Sequence, residues 1–518
     1  MQPNFLFIMA DQLRWDYLGC AGHASIKTPF IDQLASEGVR FTDAFVQAPV
    51  CGPSRMCFYT GRYAINHGAT YNGVPLNVGE RTLGDHLRPL GYRVALVGKT
   101  HMKADLEGMR RLGIDPESSV GVLAKECGFE PYERDDGLHP DQTVDPDLAY
   151  NRYLRELGYE GDNPWHEYAN GALDGHGSFA SGWYMRNAHL PARVREEHSE
   201  TAYMTDRAMD FIKETSDKPW CLHLSYIKPH WPFMAPAPYH NMYGVKDMPA
   251  PNRTPAERES GHPVIRAYQQ HEENLNFAQD EVRDRVIPTY MGLISQLDTH
   301  LGRLFRFLEA EGQMDNTVIV FTSDHGDFLG DHWLGEKDLL LEEALRIPLI
   351  IKAPNGLRGK VSNALVESID LVPTFVDMAG GESLDHILEG KSLAPLVQGE
   401  APEQWRDAVF SEMDYAWRGA RLSLNVAPDQ ARAWMVRTRD WKYIDYQGFP
   451  PQLFDLENDP SEQNDLGTHA GYQNVRQEMA ARLYHWLQTR RTRVTVSNPT
   501  VVKQTDTAKA RGMLFGVW

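Results

Sequence analysis

One short segment of the sequence combines a cysteine, an arginine and helix-end signals in a pattern that suits nucleophilic chemistry. The segment runs Cys51-Gly52-Pro53-Ser54-Arg55 and continues to Thr60-Gly61. Proline favours the first turn of a helix and glycine favours a helix end, so Cys51 is predicted to lie at a helix N-terminus. Backbone amides and the helix dipole stabilise negative charge there. The alternative is that Cys51 is an ordinary buried apolar residue.

Polar residues follow four apolar runs of the chain. They are Asp11-Gln12, Gly98-Lys99-Thr100-His101, Lys228-Pro229-His230 and Asp324-His325-Gly326. In open α/β sheets, ligands collect at the carboxyl ends of the strands, so these groups are expected to converge on one crevice. A polar residue that ends a single strand is ordinary, whereas four such clusters together indicate a functional site.

The residues in these clusters predict a metal site of mixed oxygen and nitrogen ligands. Asp11 and Asp324 supply hard oxygen atoms, Gln12 supplies a neutral carbonyl oxygen, and His325 supplies an imidazole nitrogen. This set suits calcium or manganese. The imidazole favours manganese, because calcium prefers oxygen ligands alone.

The elements that must position these groups form an α/β pattern. The five apolar runs predicted as strands are Phe5 to Met9, Val94 to Val97, Trp220 to Leu224, Thr317 to Phe321 and Pro348 to Ile351. Helical periodicity is predicted from Thr201 to Lys213 and from Thr289 to Leu308. The fold class is therefore α/β, with a large and mostly parallel central sheet flanked by helices.

The cysteine motif resembles the signature of the sulfatase family in the alkaline phosphatase superfamily, which is C-x-P-S-R followed by T-G. Further family patterns occur in the same order along the chain: Asp11-Gln12, Gly98 to His101, Pro229 to Pro232, Asp324-His325-Gly326 with Lys337, and Leu453 to Leu456 followed by Glu462. The resemblance spans about residues 4 to 466 and implies an alkaline phosphatase-like fold.

The resemblance also implies that Cys51 becomes the nucleophile after modification. In that family a formylglycine-generating enzyme oxidises the cysteine to formylglycine, whose aldehyde hydrates to a geminal diol. One hydroxyl of the diol attacks sulfur or phosphorus, and the modified residue joins the metal ligands. The implied metal ligand set is Asp11, Gln12, Cys51, Asp324 and His325.

The remaining roles implied for the site concern charge and protons. The expected catalytic residues are Cys51, Arg55, Lys99, His101, His230 and Lys337, and the expected substrate-binding residues are Asn72, Lys99, His230 and Lys337. His230 is the candidate that protonates the leaving oxygen, and His101 is the candidate that removes a proton from the second hydroxyl. Asn72 orients the substrate or the nucleophile, or is an ordinary turn residue.

Two departures from the common sulfatase pattern leave two activities open. Gln12 and His325 resemble the phosphonate monoester hydrolases and phosphodiesterases of the superfamily, whereas Lys99 and His101 stand where those hydrolases have Tyr and Thr. The sequence therefore predicts an arylsulfatase-like sulfuric ester hydrolase with activity on phosphonate monoesters and phosphodiesters. A phosphonate monoester hydrolase or phosphodiesterase is the alternative.

Composition restricts the partners. The net charge of −19 opposes binding to nucleic acid or to an anionic membrane, so the expected partner is a small-molecule sulfate, phosphonate or phosphodiester. The N-terminal residues fit neither a secretory signal nor a spanning helix, and the five cysteines fit no disulfide framework, so a cytoplasmic location is expected.

Changes in composition along the chain predict its organisation. Residues 1–385 are expected to form the catalytic domain, with an aromatic insertion over about 104–198 that shapes the pocket or packs as a loop. Residues 386–489 form a smaller region with an antiparallel sheet, in which Ala433 to Arg437 and Lys442 to Tyr446 are adjacent strands. Residues 490–518 form an arm with an apolar tip, which favours a homodimer or homotetramer.

Overall fold

The structure is a computed structural model that describes residues 2–137, 139–141, 147–215, 218–400 and 402–513. Its strands are β1 (Asn4–Ala10), β2 (Val39–Phe45), β3 (Arg93–Gly98), β4 (Glu130–Arg134), β5 (Gly171–Leu173), β6 (Phe179–Ser181), β7 (Trp220–Tyr226), β8 (Thr317–Ser323), β9 (Arg346–Lys352), β10 (Lys360–Glu367), β11 (Ala408–Asp414), β12 (Arg432–Thr438), β13 (Trp441–Tyr446) and β14 (Gln452–Asp455).

Helices pack on both sides of these strands. They are α1 (Pro29–Glu37), α2 (Cys51–Thr60), α3 (Ala64–His67), α4 (Leu83–Leu87), α5 (Leu106–Leu112), α6 (Ser119–Lys125), α7 (Ala149–Glu156), α8 (Glu200–Glu214), α9 (Pro255–Ser260), α10 (Pro263–Tyr268), α11 (Glu272–Phe277), α12 (Asp280–Ala310), α13 (Glu342–Leu345), α14 (Leu371–Met378), α15 (Ala394–Gln398), α16 (Gly419–Ser423), α17 (Gln473–Gln488) and α18 (Asn498–Gln504). Within the described ranges, none of these helices is long and apolar enough to cross a bilayer.

The central sheet has eight strands in the order β10-β2-β9-β8-β1-β7-β3-β4. All neighbouring strands in it pair in parallel except at β9, which is antiparallel to both β8 and β2. The predicted α/β class and mostly parallel sheet are thus confirmed. The five predicted strands correspond to β1, β3, β7, β8 and β9, whereas β2 and β10 have weaker apolar patterns and were not predicted.

The central strands are apolar along their whole length because helices cover both faces of the sheet. All seven residues of β1 are buried. Phe5 and Phe7 face a core that also contains residues of α2 and α14. Leu6 and Ile8 face a second core that contains residues of α8 and α12. A helix–sheet–helix sandwich results, as expected for continuous apolar strands.

A second sheet of four antiparallel strands, β11-β12-β13-β14, lies in the C-terminal part of the chain. Helix α17 packs on it, where the rings of Trp486 and Phe410 stack with centroids 5.0 Å apart. Lys442 on β13 is fully buried, and its Nζ lies 2.9 Å from Glu342 and 2.6 Å from Glu462. This buried ion network joins the sheet to α13, next to the central sheet.

The segment over residues 104–198 contributes to the central sheet as well as to the surface around it. Its strand β4 pairs with β3 at the sheet edge, a role that the irregular composition of the segment did not indicate. A short hairpin of β5 and β6 follows.

In the C-terminal arm, Arg490 packs against Tyr63 and Trp486, and α18 follows with an exposed Val502. Residues 514–518 of the apolar tip lie outside the described residues.

Replacing Gly98 by alanine is expected to destabilise the protein more than replacing Gly91. Both glycines have positive φ, +105° and +92°, so both variants carry the left-handed backbone cost of about 1–2 kcal/mol. A Cβ at Gly98 would also lie 2.0 Å from the carbonyl oxygen of Ser225, whereas no described atom lies within 4 Å of one at Gly91. Overpacking adds about 1–3 kcal/mol, measurable as a larger fall in unfolding free energy by denaturant titration. Equal losses would contradict this crowding at the end of β3.

Candidate active site and metal centre

The parallel strands end level with one another, which brings the predicted site residues together. Ala10 is in register with Tyr226 on β7 and with Ser323 on β8. Asp11 and Asp324 each follow the last residue of a strand, and both are fully buried. The same edge carries Lys99 directly after β3. The convergence expected at the carboxyl ends of the strands is therefore present.

Cys51 is the first residue of helix α2 and points its sulfur at this edge. Val50 precedes the helix in an extended conformation, and Gly61 ends it with φ +66°. Asn72 acts on the first turn, because its Oδ1 accepts a hydrogen bond of 2.7 Å from the backbone amide of Gly52. Asn72 therefore holds the first turn of the helix that begins at Cys51.

Four buried groups surround one point and form a candidate metal site. Ligand atoms of Asp11, Cys51, Asp324 and His325 all lie within 4.8 Å of one another. The Cys51 Sγ is 3.0 Å from His325 Nε2 and 3.7 Å from Asp11 Oδ1, and His325 Nε2 is 3.8 Å from Asp324 Oδ2. Two carboxylates, an imidazole and a sulfur fit a divalent cation, because carboxylate oxygen, imidazole nitrogen and thiolate sulfur are all common ligands of such ions.

Gln12 lies beside this group with its amide oxygen turned to a lysine. Its φ is +63°, and its Oε1 accepts a hydrogen bond of 2.8 Å from Lys337 Nζ. Its Nε2 donates to Asp327 Oδ2 at 2.5 Å. Asp327 therefore orients the Gln12 amide, a contact that sequence reasoning missed although Asp327 follows the Asp324-His325-Gly326 motif by one residue.

Arg55 is fully buried and binds the two carboxylates of the metal group. Its Nε lies 2.9 Å from Asp324 Oδ2 and its Nη2 lies 3.2 Å from Asp11 Oδ2. Its Nη1 donates to the carbonyl oxygen of Lys99 at 2.8 Å and to Ser225 Oγ at 2.7 Å. These contacts occupy the guanidinium, so Arg55 holds the carboxylates and the Lys99 backbone in this structure.

Two lysines concentrate positive charge at the Cys51 sulfur. Lys337 Nζ lies 3.3 Å from Cys51 Sγ, and Lys99 Nζ lies 2.5 Å from Asp11 Oδ2. Burial raises the pKa of the Cys51 thiol, but Lys337, Lys99 and His325 outweigh burial and lower that pKa well below its usual range. The surroundings of residue 51 therefore favour a negative charge at this position.

The two remaining histidines of the predicted site, His101 and His230, line the cavity beside Lys99 and Lys337. His230 Nδ1 donates to the carbonyl oxygen of Trp231 at 2.6 Å, and its Nε2 lies 3.2 Å from Lys337 Nζ. Burial, Lys337 and Lys99 lower the pKa of His230 to about 3, so the imidazole is neutral here. Its Nε2 consequently accepts a hydrogen bond from Lys337.

A cavity of about 310 Å³ opens over this group. The predicted residues Asn72, Lys99, His101, His230 and Lys337 all line it, together with Tyr71, Asp136, His139, Trp165, Trp183, Trp231, Glu336, Asp338 and Arg418, among others. From the aromatic insertion, Trp165 and Trp183 reach the cavity. Tyr150 instead packs in the core, with its hydroxyl donating to His198, and Tyr184 is exposed.

Several cavity residues carried no signal in the sequence. Glu336 and Asp338 flank Lys337, and the family pattern includes the lysine but gives no role to its two neighbours. Arg418 lies between the second-sheet strands β11 and β12, and only the packing of that region against α10 brings it to the cavity. The presence of Arg418 in the cavity therefore depends on tertiary packing, which the local sequence does not indicate.

Comparison with known proteins shows the family to which the chain belongs. Residues 3–381 match the family model described as Sulfatase, and residues 330–489 match that of the N-sulphoglucosamine sulphohydrolase C-terminal region. The multifunctional alkaline phosphatase superfamily protein PehA of Trinickia caryophylli is 32% identical, over 94% of this chain and 95% of that protein. The arylsulfatase of Clostridium perfringens is 28% identical, over 90% of each.

Solved structures of phosphonate monoester hydrolases have the same architecture. The enzyme from Silicibacter pomeroyi has a TM-score of 0.82 and 29% identity, covering 94% of this chain and 96% of its own. The enzyme from Agrobacterium radiobacter has a TM-score of 0.81 at the same identity and coverage. The chain belongs to the sulfatase family of the alkaline phosphatase superfamily and is an ester-bond hydrolase.

Proposed function

We propose that this protein hydrolyses monoanionic sulfate monoesters, with a nucleophile formed from Cys51 and one divalent metal. The observation that carries the proposal is the Cys51 sulfur, which belongs to the candidate metal site and lies 3.3 Å from Lys337 Nζ. The cavity above it is also lined by Lys99 and His101. A sulfate monoester, a phosphonate monoester and a phosphodiester each carry one negative charge near neutral pH. One metal ion and the two lysines Lys99 and Lys337 suit a single negative charge in all three classes. Activity on phosphonate monoesters and phosphodiesters therefore accompanies the sulfatase activity.

The nucleophile is proposed to be formylglycine, made from Cys51 by a formylglycine-generating enzyme. Cys51 is fully buried in the folded chain, and every residue of α2 is buried with it. A maturation enzyme therefore has to reach this segment before folding is complete. Support for the modification comes from the C-x-P-x-R core, which is intact from Cys51 to Arg55.

Asp11, Gln12, Asp324 and His325, with the modified residue 51, would hold the metal, either manganese or calcium, with the imidazole favouring manganese. When bound, such an ion neutralises charge on the transferring group and lowers the pKa of a hydroxyl beside it. Gln12 would have to turn its amide oxygen from Lys337 to the ion. Lys337 is then free to contact a substrate oxygen.

The chain's own side chains bind the anion and move protons. Lys99 and Lys337 are proposed to stabilise the negative charge that builds on the transferring group. An anionic ester in the cavity opposes the effect of the two lysines on His230, so its pKa rises and Nε2 can donate to the leaving oxygen. His101, whose Nδ1 has no hydrogen-bond partner among the described residues, is proposed to accept the proton that releases the product.

A second function is favoured by a specific observation. The two phosphonate monoester hydrolases match this chain with TM-scores of 0.82 and 0.81, and the chain has Gln12 and His325 in its candidate metal centre. A phosphonate monoester hydrolase or phosphodiesterase is therefore the alternative. The lysine and histidine at positions 99 and 101 favour the sulfatase.

Replacing Cys51 by alanine is expected to abolish turnover, with kcat falling by at least about 10⁴-fold because the nucleophile is lost. Cys57→Ala, in the same buried helix, is the matched control and should keep most of the activity. Peptide mass spectrometry of active enzyme should show an aldehyde at residue 51 and a thiol at residue 57. An active sample with a stoichiometric thiol at residue 51 would refute the formylglycine assignment.

The preferred transferred group should be visible in a matched substrate series. We expect kcat/KM for an aryl sulfate to exceed that for an aryl phosphonate monoester and an aryl phosphodiester with the same leaving group by about tenfold or more, a difference of about 1.4 kcal/mol. Metal-loaded enzyme with verified formylglycine is needed. The reverse order would establish the alternative function.

Replacing Asp324 by asparagine is expected to weaken metal binding by at least about 100-fold, because one anionic ligand is lost. Loss of a residue that only hydrogen bonds to a ligand already lowers metal affinity by about 10–100-fold. Asp298→Asn is the matched control, since Asp298 is also buried but binds the backbone amides of Phe30 and Ile31. Metal content after dialysis, measured by mass spectrometry of the elements, reports the difference. Equal metal content in the two variants would remove Asp324 from the ligand set.

A further inference from the structure

Part of the cavity lining is a continuous aromatic surface that the proposed reaction does not use. The ring centroids of Trp183 and Trp231 are 5.0 Å apart, and those of Trp165 and Trp183 are 6.5 Å apart. His139 stacks on Trp183 at 5.2 Å. Such a surface binds either apolar groups or cations, because the faces of indole rings carry negative electrostatic potential.

Glu336 adds an unpaired carboxyl group to the same cavity. No side chain or amide among the described residues is within hydrogen-bonding distance of its carboxyl, although it neighbours Lys337 in sequence. Burial raises the pKa of Glu336 to about 7; Lys337 and Arg418 oppose this rise, and Glu273 and Asp327 add to it. A carboxyl group in this state gains stabilisation from any cation that enters the cavity.

The other charged groups of the lining outside the catalytic set are already paired. Asp136 lies 2.5 Å from Arg134. Arg418 lies 2.8 Å from Asp338 through its Nε, and its Nη2 contacts Glu273. The guanidinium of Arg418 is thus shared by two carboxylates and offers little to an anionic ligand. Among the lining carboxylates of the described residues, Glu336 is the one whose carboxyl group has neither an ion pair nor a hydrogen bond.

We propose that Glu336 and the tryptophan surface form a subsite for a cationic leaving group. The preferred substrate class is then a zwitterionic ester, whose monoanionic ester group faces Lys99 and Lys337 and whose alcohol carries an ammonium group. The location of the ester rests on the proposed function, whereas binding of the cation rests only on the cavity. The net charge of −19 of the chain acts in the same direction, since it favours approach of a positive group.

The test uses three aryl esters that differ only at the end of a two-carbon arm in the para position. The arm ends in trimethylammonium, in tert-butyl or in carboxylate, and it separates these groups from the phenol oxygen, so the leaving-group pKa values stay close. The transferred group is the one that wild-type enzyme hydrolyses fastest. We expect kcat/KM to follow the order cation, neutral, anion, with about tenfold or more between cation and neutral.

Two variants assign the preference to Glu336. Glu336→Gln should lower the cation-to-neutral ratio by about fivefold or more. Glu272→Gln removes the same charge from an exposed position outside the cavity and should leave the ratio unchanged. A wild-type ratio below about three, or an undiminished ratio in Glu336→Gln, would overturn the proposal.

Binding of the product phenols gives a readout that needs no turnover. Calorimetry on wild-type protein should show tighter binding of the trimethylammonium phenol than of its tert-butyl isostere, and this comparison stands even if Glu336→Gln fails to fold. Equal binding, or tighter binding of the tert-butyl phenol, would overturn the subsite. If the cationic phenol is preferred but no sulfate, phosphonate or diester is cleaved, the proposed function fails while the subsite stands.

Discussion

Two buried carboxylates lie beside the Cys51 sulfur, and this concentration of negative charge is the constraint that the rest of the site satisfies. Asp11 and Asp324 are completely shielded from solvent, where an uncompensated charge costs several kcal/mol. Arg55 binds both of them, and Lys99 binds Asp11 from another side. Burial and Cys51 alone would raise the pKa of Asp11, but the cations Lys99 and Arg55, with His230, lower it, so the carboxylate remains charged. A site that already holds this charge balance is prepared for a metal and an anionic substrate.

The balance depends on the register of the sheet. Asp11, Lys99 and Asp324 follow strands that end at one level, so a shift of one residue in any strand would move a charged group away from its partners. Helix α2 then approaches this edge with its N-terminus, where Arg55 lies one turn after Cys51. Cys51 and the cation that organises its surroundings are thereby placed by a single helix.

Selection of the transferred group and selection of the leaving group are assigned to different parts of the chain. Lys99 and His101, just after β3, and Lys337, in the loop between β8 and α13, line the cavity beside Cys51. The tryptophans come from the irregular segment over residues 104–198 and from the loop after β7, and Arg418 comes from the connection between β11 and β12. Proteins that share this scaffold can therefore differ in the esters they cleave, in line with the likenesses to an arylsulfatase and to phosphonate monoester hydrolases.

The sequence by itself determined the central strands, the polar residues at their ends and the position of Cys51 at a helix N-terminus. These features are local, since continuous apolar runs and helix-end residues are readable over a few positions. Only the tertiary structure decided that Arg55 bridges the two carboxylates, that the Gln12 oxygen faces Lys337, and that β4 joins the sheet. It also brought Glu336, the tryptophans and Arg418 to one cavity. Such contacts join residues far apart in the chain, so they follow from packing and charge pairing, which no local pattern records.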